Sequence, residues 1–217
     1  MAGEVSKDIS SRILLPRKLV EAHDAGLLHF HDMDYFAQRM HMLMTPGSSL
    51  GGARPKASVV DPNGNLWIAK FPSKNDVYDV EAWKMVVHML AENAGLNVAE
   101  SRAQTFASKR HTFLTKRFDR ASDGRIHFVS AMTLLVYSDG TDASAGASYL
   151  ELAEFVIKNC INLDADLREL WARIVFSICV KNTDDHLRNH GFLLQKRGWA
   201  LLPPTTLLRI QKERASH

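Results

Sequence analysis

Apolar positions along the chain alternate between a helical period and a period of two, and these changes divide it into segments. Leu167, Leu170, Trp171, Ile174, Val175 and Ile178 fall at helical offsets and predict a helix over 165–178 with one buried face. Val80, Trp83, Val87, Leu90, Ala91 and Ala94 do the same over 78–94, and Gly95 supplies the stop. Between residues 56 and 71 the period shortens to two. "KASVV" and "LWIAKF" flank "DPNGN", which predicts a β-hairpin. "LNVAESRAQTF", "TFLTKRF" and "RIHFVSAM" are also strand-like, with the turn "DRASDGR" between the last two. Residues 45–56, "TPGSSLGGARPK", concentrate Gly, Ser and Pro and read as a loop. The first 45 residues are helical but broken, and "PPTTLLRIQKERASH" at the end follows neither period.

A mostly β first half with one helix, a strand-rich junction and a mostly helical second half predict an α+β protein of two lobes with a cleft between them. The expected segments are a helical lead over 1–44, a β-rich lobe over 45–118 and a helical lobe over 119–217.

Composition narrows the classes. The chain has 217 residues, 46% hydrophobic and 24% charged, as in an ordinary globular protein. A formal charge of +3 is too small to argue for nucleic acid. The two cysteines, Cys160 and Cys179, sit in apolar surroundings and are expected to be buried free thiols. "MAGEVSKDISSRILLPRK" has no signal-peptide core, and runs such as "AMTLLVY" are too short for a membrane span. A cytoplasmic protein without membrane contact is the expectation.

Three places carry candidate chemistry. Gly47, Gly51 and Gly52 let backbone N–H groups approach an anion, or simply form a tight loop. Lys70 shares a strand face with Leu66 and Ile68. It is either a phosphate-contacting cation, with Glu81 or Asp79 as its acid, or a strand-end lysine reaching water. The densest cluster is "ICVKNTDDHLRNHGFLL", residues 178–194, directly after the predicted buried helix. Asp184 and Asn189 lie five residues apart. In protein kinases an Asp at this spacing accepts the proton of the substrate hydroxyl, and the Asn holds Mg²⁺. The same residues allow a zinc reading, His186 and His190 with Asp184 or Asp185, which needs a helical segment. "HFHD" (His29, His31, Asp32) lacks further ligands at a useful spacing and reads as polar residues on the surface, and "KRFDR" (116–120) as a salt-bridged strand end.

Together and in order, "SSLGGARPKASVVDPNGNLWIAKFPS", "KRFDR", "FVSAMTLL" and "NTDDHLRNHGFLL" closely resemble the HipA family of toxin–antitoxin serine/threonine kinases, from about residue 45 to about 202. The resemblance implies a two-lobed protein-kinase-like fold that uses ATP and Mg²⁺. It implies Asp184 as catalytic aspartate, Lys70 as the ATP-phosphate lysine and His186 as a nucleotide-proximal histidine. It also implies Asn189 as a Mg²⁺ ligand, Lys116 and Phe118 as the adenine-binding hinge, and Gly51 and Gly52 as the nucleotide loop. Ser49, then Ser48, would be the autophosphorylated serine of that loop. Family partners are a HipB-like helix-turn-helix antitoxin, on operator DNA or free of it, and an aminoacyl-tRNA synthetase as substrate.

Three departures keep a second reading open, a kinase-like binding module without turnover. Only about 45 residues precede the loop, and the helical lobe is expected to be incomplete. Trp199, Leu201 and Pro203 keep the family's run after the catalytic loop, but Thr206 stands where the second Mg²⁺-ligating aspartate belongs. A hydroxyl is a poor substitute for that carboxylate. The tail beyond Pro203 reads as a truncation or an altered reading frame.

Overall fold

A computed structural model describes residues 28–29, 56–73, 75–106, 109–121, 124–138, 140–141 and 143–203. The chain divides into two compact units, residues 1–81 with 103–116, and residues 82–102 with 117–217. The loop with Ser48, Ser49, Gly51 and Gly52, the HFHD motif beyond His29, and Thr206 lie outside the described residues.

The first unit is built on a five-stranded sheet of order β1-β2-β3-β5-β4. Its strands are β1 (Leu28–His29), β2 (Lys56–Val60), β3 (Leu66–Lys70), β4 (Ser101–Thr105) and β5 (His111–Lys116). β2 and β3 are antiparallel, with Lys56 opposite Lys70 and Val60 opposite Leu66, so the predicted hairpin is present. Its turn is organised by one carboxylate. Asp61 Oδ1 accepts the N–H groups of Asn63 and Asn65, and Oδ2 accepts from Asn65 Nδ2 and Trp67 Nε1. Gly64 takes φ +80 to close the turn. Alternation on β3 buries Trp67 and Ala69 with Ala57, Val59, Phe71 and Leu114 in the core of this unit.

Burial works against the Asp61 charge, but the bonds from Asn65, Trp67 and Asn63 outweigh it and hold the pKa at about 2. A carboxyl whose folded pKa lies below its unfolded value stabilises above the unfolded pKa, and that contribution is lost as pH falls through the folded value. Hairpin stability should therefore decline between about pH 4 and pH 2. The indole N–H resonance of Trp67 reports it. Asp61→Asn should lack this acid limb, and an unchanged limb would contradict the assignment.

Helix α1 (Val80–Asn93) forms where predicted and ends as predicted. Gly95 is at φ +81, its N–H donates to Glu92 O, and Leu96 N–H donates to Ala91 O, a Schellman closure. Its buried face is a correction, however. Glu81, Val87, His88 and Ala91 are buried, whereas Trp83 and Leu90 are half exposed.

The second unit holds a three-stranded antiparallel sheet, β10 (Gly198–Leu201), β9 (Gly191–Gln195) and β8 (Phe128–Ser130). A two-stranded ladder, β6 (Arg120–Ala121) with β7 (Gly124–Arg125), precedes it. Helices α2 (Ala131–Leu134), α3 (Tyr149–Asn159) and α4 (Leu163–Cys179) complete the unit. Ser148 and Glu151 form a reciprocal capping box that starts α3. Ala131, Leu152, Val156, Leu170, Phe192 and Leu201 are the core.

Helix α4 again corrects the expected face. Leu170 is buried, but Trp171 is 67% and Ile178 72% exposed, and the inward positions include Asp166, Arg173, Phe176 and Ser177. Apolar spacing located the helix but not its orientation, because polar side chains share its inward face with Leu170 and Phe176. Cys179 is exposed rather than buried. Among the described residues no helix is long and apolar enough to cross a membrane.

Candidate functional site

In the first unit Lys70 ends β3 opposite Phe113 of β5, with Nζ 5.6 Å from the Phe113 ring centre. It is only 8% exposed, so it does not simply extend into water. Glu81 is fully buried, and its charge acts on Lys56, the cross-strand neighbour of Lys70. Burial pushes the Lys56 pKa down and Glu81 pulls it up, with burial prevailing. The other candidate acid, Asp79, accepts the backbone N–H of His111, and its Oδ2 lies 2.7 Å from the His111 ring Nδ1. A cation and a carboxylate both buried in one sheet-and-helix unit are costly, which favours a role beyond surface charge.

Lys116 closes β5, with Nζ 6.0 Å from the Trp67 ring centre. After it, Asp119 takes Arg117 Nε at 2.8 Å and Nη2 at 2.6 Å, and Arg120 Nη1 at 2.8 Å. Burial works against the Asp119 charge, and these guanidinium bonds still leave its pKa below the usual value. "KRFDR" is thus salt-bridged as expected, and Phe118 sits half-buried between the arginine and aspartate of that lock.

The second unit carries the Asp184 loop. Helix α4 ends in another Schellman closure, with Asn182 N–H on Ser177 O and Lys181 N–H on Ile178 O. Here the left-handed position is Lys181, at φ +53, not a glycine. A side chain at that angle costs about 1 kcal/mol relative to glycine. Lys181→Gly should raise the denaturation midpoint by that amount, and a lower midpoint would mean the lysine side chain compensates.

From there the chain turns away from the helix. Asn182 Oδ1 accepts the Asp184 N–H at 3.1 Å, and Asn189 Nδ2 donates to Asp184 O at 2.8 Å. Asn189 N–H reaches back to His186 O. These bonds fold 182–190 into a compact loop with both ends tied to Asp184. The Asp184 carboxylate is part-exposed and engages no partner among the described residues.

Its neighbour Asp185 does the opposite. Its Oδ2 accepts Tyr149 Oη at 2.7 Å, and His190 Nε2 lies 3.2 Å from Oδ1. Burial opposes the Asp185 charge, yet His190, Tyr149 and Asn189 hold its pKa below the ordinary value. Burial and the same carboxylate push the Tyr149 hydroxyl up.

Adjacent carboxylates thus have different tasks, one free and one fully engaged. The second task is not among the sequence-based expectations. Its signal is the pairing of Asp185 with His190 five positions on, which the spacing presents only as a pair of zinc ligands. The segment 182–186 is not helical, so His186 and His190 do not share a helix face. Among the described residues no group of three His, Cys, Asp or Glu side chains gathers to hold a metal. The His186 Nδ1 is buried without a partner. His186 also lines a pocket of about 120 Å³ with Met132, Tyr137, Ser138, Thr141 and Arg188.

The donor set suits a magnesium–nucleotide group. Asn189 commits its amide nitrogen to Asp184 O and leaves its oxygen, the atom that ligates hard cations. The other end of that bond is the backbone carbonyl of Asp184, the residue whose carboxylate is left open.

Residues 48–204 match the HipA-like C-terminal domain. The chain belongs to that family. A Haemophilus influenzae protein named "Putative kinase" is 26% identical over 199 residues, 81% of this chain and 57% of the relative. Two solved structures share the fold. One is the Shewanella oneidensis HipA, HipB and operator DNA complex (TM-score 0.61, 22% identity, 79% of this chain and 48% of that one). The other is the Helicobacter pylori proinflammatory kinase CtkA (TM-score 0.52, 19% identity, 70% and 54%). The HipA-like chain spans about half the length of these relatives.

Residues 1–45 match a different family, anaerobic ribonucleoside-triphosphate reductase. The Escherichia coli reductase is 49% identical over 35 residues, 16% of this chain and 5% of the enzyme. The two matches meet at "TPGSSLGG", where the composition shifts. The HFHD motif falls in the reductase-like stretch, outside the kinase-like region.

Proposed function

We propose that this chain carries the core of an ATP-dependent serine/threonine protein kinase of the HipA type. The observation that carries the reading is the unpartnered Asp184 carboxylate, on a loop whose Asn189 amide is bonded back to the Asp184 carbonyl. ATP with Mg²⁺ supplies, when bound, the phosphoryl group and the positive charge that neutralises it. Lys70 adds a buried cation for the phosphates, Asn189 offers its amide oxygen to the metal, and His186 lies close to the nucleotide. Lys116 and Phe118 receive the adenine, and Gly51 and Gly52 cover the phosphates through backbone N–H groups. Asp184 accepts the proton of the incoming serine or threonine hydroxyl. As that oxygen bonds to the γ-phosphorus, the bond from phosphorus to the bridging oxygen of ADP breaks.

On the family resemblance the loop serines Ser49 and Ser48 are phosphorylated in the same way. The partners are a HipB-like helix-turn-helix antitoxin and an aminoacyl-tRNA synthetase substrate, and the protein works in the cytoplasm. The Shewanella oneidensis HipA occurs in a complex with HipB and operator DNA, which supports the antitoxin part of this reading.

The replacement of the second metal-ligating aspartate by Thr206 favours one alternative, a module that binds ATP or a partner without turnover. Incubation with labelled ATP and Mg²⁺, followed by mapping of phosphate on Ser48 and Ser49, separates the two. Phosphate on either serine supports the kinase. ATP binding without transfer supports the module, and zinc-dependent hydrolysis that ignores ATP would overturn both.

A further inference from the structure

We propose that Asp185 is a positioning residue, whose carboxylate fixes the conformation in which the loop presents Asp184 and Asn189. This rests on the kinase reading for its catalytic meaning, although the geometry stands without it. The carboxylate is 11% exposed and gathers groups from three parts of the second unit. Tyr149 Oη at the start of α3 donates at 2.7 Å, and Ser177 Oγ in the last turns of α4 lies at 3.5 Å. His190 Nε2, where the loop enters β9, lies 3.2 Å away, close enough for an ion pair although short of a hydrogen bond in alignment. The buried Arg173 guanidinium feels the Asp185 charge.

One side chain therefore ties α3 and α4 to the end of the loop that Asn189 occupies. Asn189 passes the constraint on, because its amide donates to the carbonyl of Asp184. The two residues share one planar peptide unit, so reorienting that unit at 184 also displaces the backbone that carries the Asp185 side chain. Asp184 is thereby aimed without any bond to its own carboxylate, which stays open for a proton. A positioning role should affect turnover more than nucleotide affinity, because misplacing a reacting group by about 1 Å costs up to about 10²-fold.

The test uses the full chain and three variants, Tyr149→Phe, Asp185→Asn and Asp185→Ala. Tyr149→Phe removes one bond from a part-exposed ring and should fold normally. Two quantities are read: amide hydrogen exchange over 182–190 against α3 and α4, and kcat and KM for ATP well below the melting temperature. Exchange in the loop should rise about 10-fold in Asp185→Ala and less in Tyr149→Phe, with the helices unchanged. The kcat should fall about 3- to 10-fold in Tyr149→Phe and up to about 100-fold in Asp185→Ala, with KM within about twofold. Asp185→Asn, which keeps an acceptor oxygen for Tyr149, should recover part of the loss.

Unchanged loop exchange in all three variants would overturn the proposal, as would a looser loop with undiminished kcat. If the parent chain transfers no phosphate, the kinase reading fails, and loop exchange alone decides whether Asp185 holds the loop.

Discussion

Replacing Asp184 by Asn is expected to lower phosphate transfer by about 10³-fold while leaving the fold intact. General-base catalysis by a positioned carboxylate contributes about 10²–10⁴-fold, and this carboxylate has no structural partner to lose. The amide is nearly isosteric, and the bonds that shape the loop use the Asp184 backbone rather than its side chain. A melting temperature equal to that of the parent, with transfer lost, fits a residue that serves chemistry alone. Retained transfer in Asp184→Asn would remove this residue from the mechanism. A large fall in melting temperature would instead mean that the carboxylate holds the loop together.

Arg173 carries the largest expected effect on stability. The guanidinium is 2% exposed, and Nε bonds Glu169 Oε1 at 2.7 Å. Burial lowers its pKa, and the charges of Glu169, Asp166 and Asp185 oppose this. Removing one partner of a buried ionic group costs about 3–5 kcal/mol, since the remaining charges lose their compensation. Here Nη1 and Nη2 are buried without hydrogen bonds, so deleting them recovers part of that cost. Arg173→Met should therefore lie near the lower limit, about 3 kcal/mol, read from the urea midpoint at constant slope. An unchanged midpoint would mean that the three carboxylates need no cation here.

Much of this was legible in the chain, for reasons that differ from element to element. The β2–β3 hairpin could be read because its turn and its alternation agree locally. Asp61, Asn63, Gly64 and Asn65 all favour the same turn. The ends of α1 and the Asp184-to-Asn189 spacing were legible for the same reason. Helix faces were not. In α4, Trp171 and Ile178 follow the apolar period but face outward, while Arg173 and Ser177 lie on the inward side, where Ser177 Oγ approaches Asp185. Periodicity counts apolar residues and is blind to a polar core. The partnership of Asp185 with Tyr149 spans 36 positions, so no local pattern could reveal it. Residues 1–45 illustrate a different limit. The sequence set them apart as a helical lead, but their broken periodicity gave no fold, and only comparison with the reductases showed that they match a different family.

The two thiols have a practical consequence. Burial, together with Asp166, pushes Cys160 up to about 12, so at neutral pH it stays protonated and slow to react. Cys179 is exposed on the last turn of α4, five positions before Asp184. The unaltered sequence therefore carries its own attachment point for a fluorophore or spin label, beside the segment whose motion matters most. The loop can be watched without first engineering a cysteine into it.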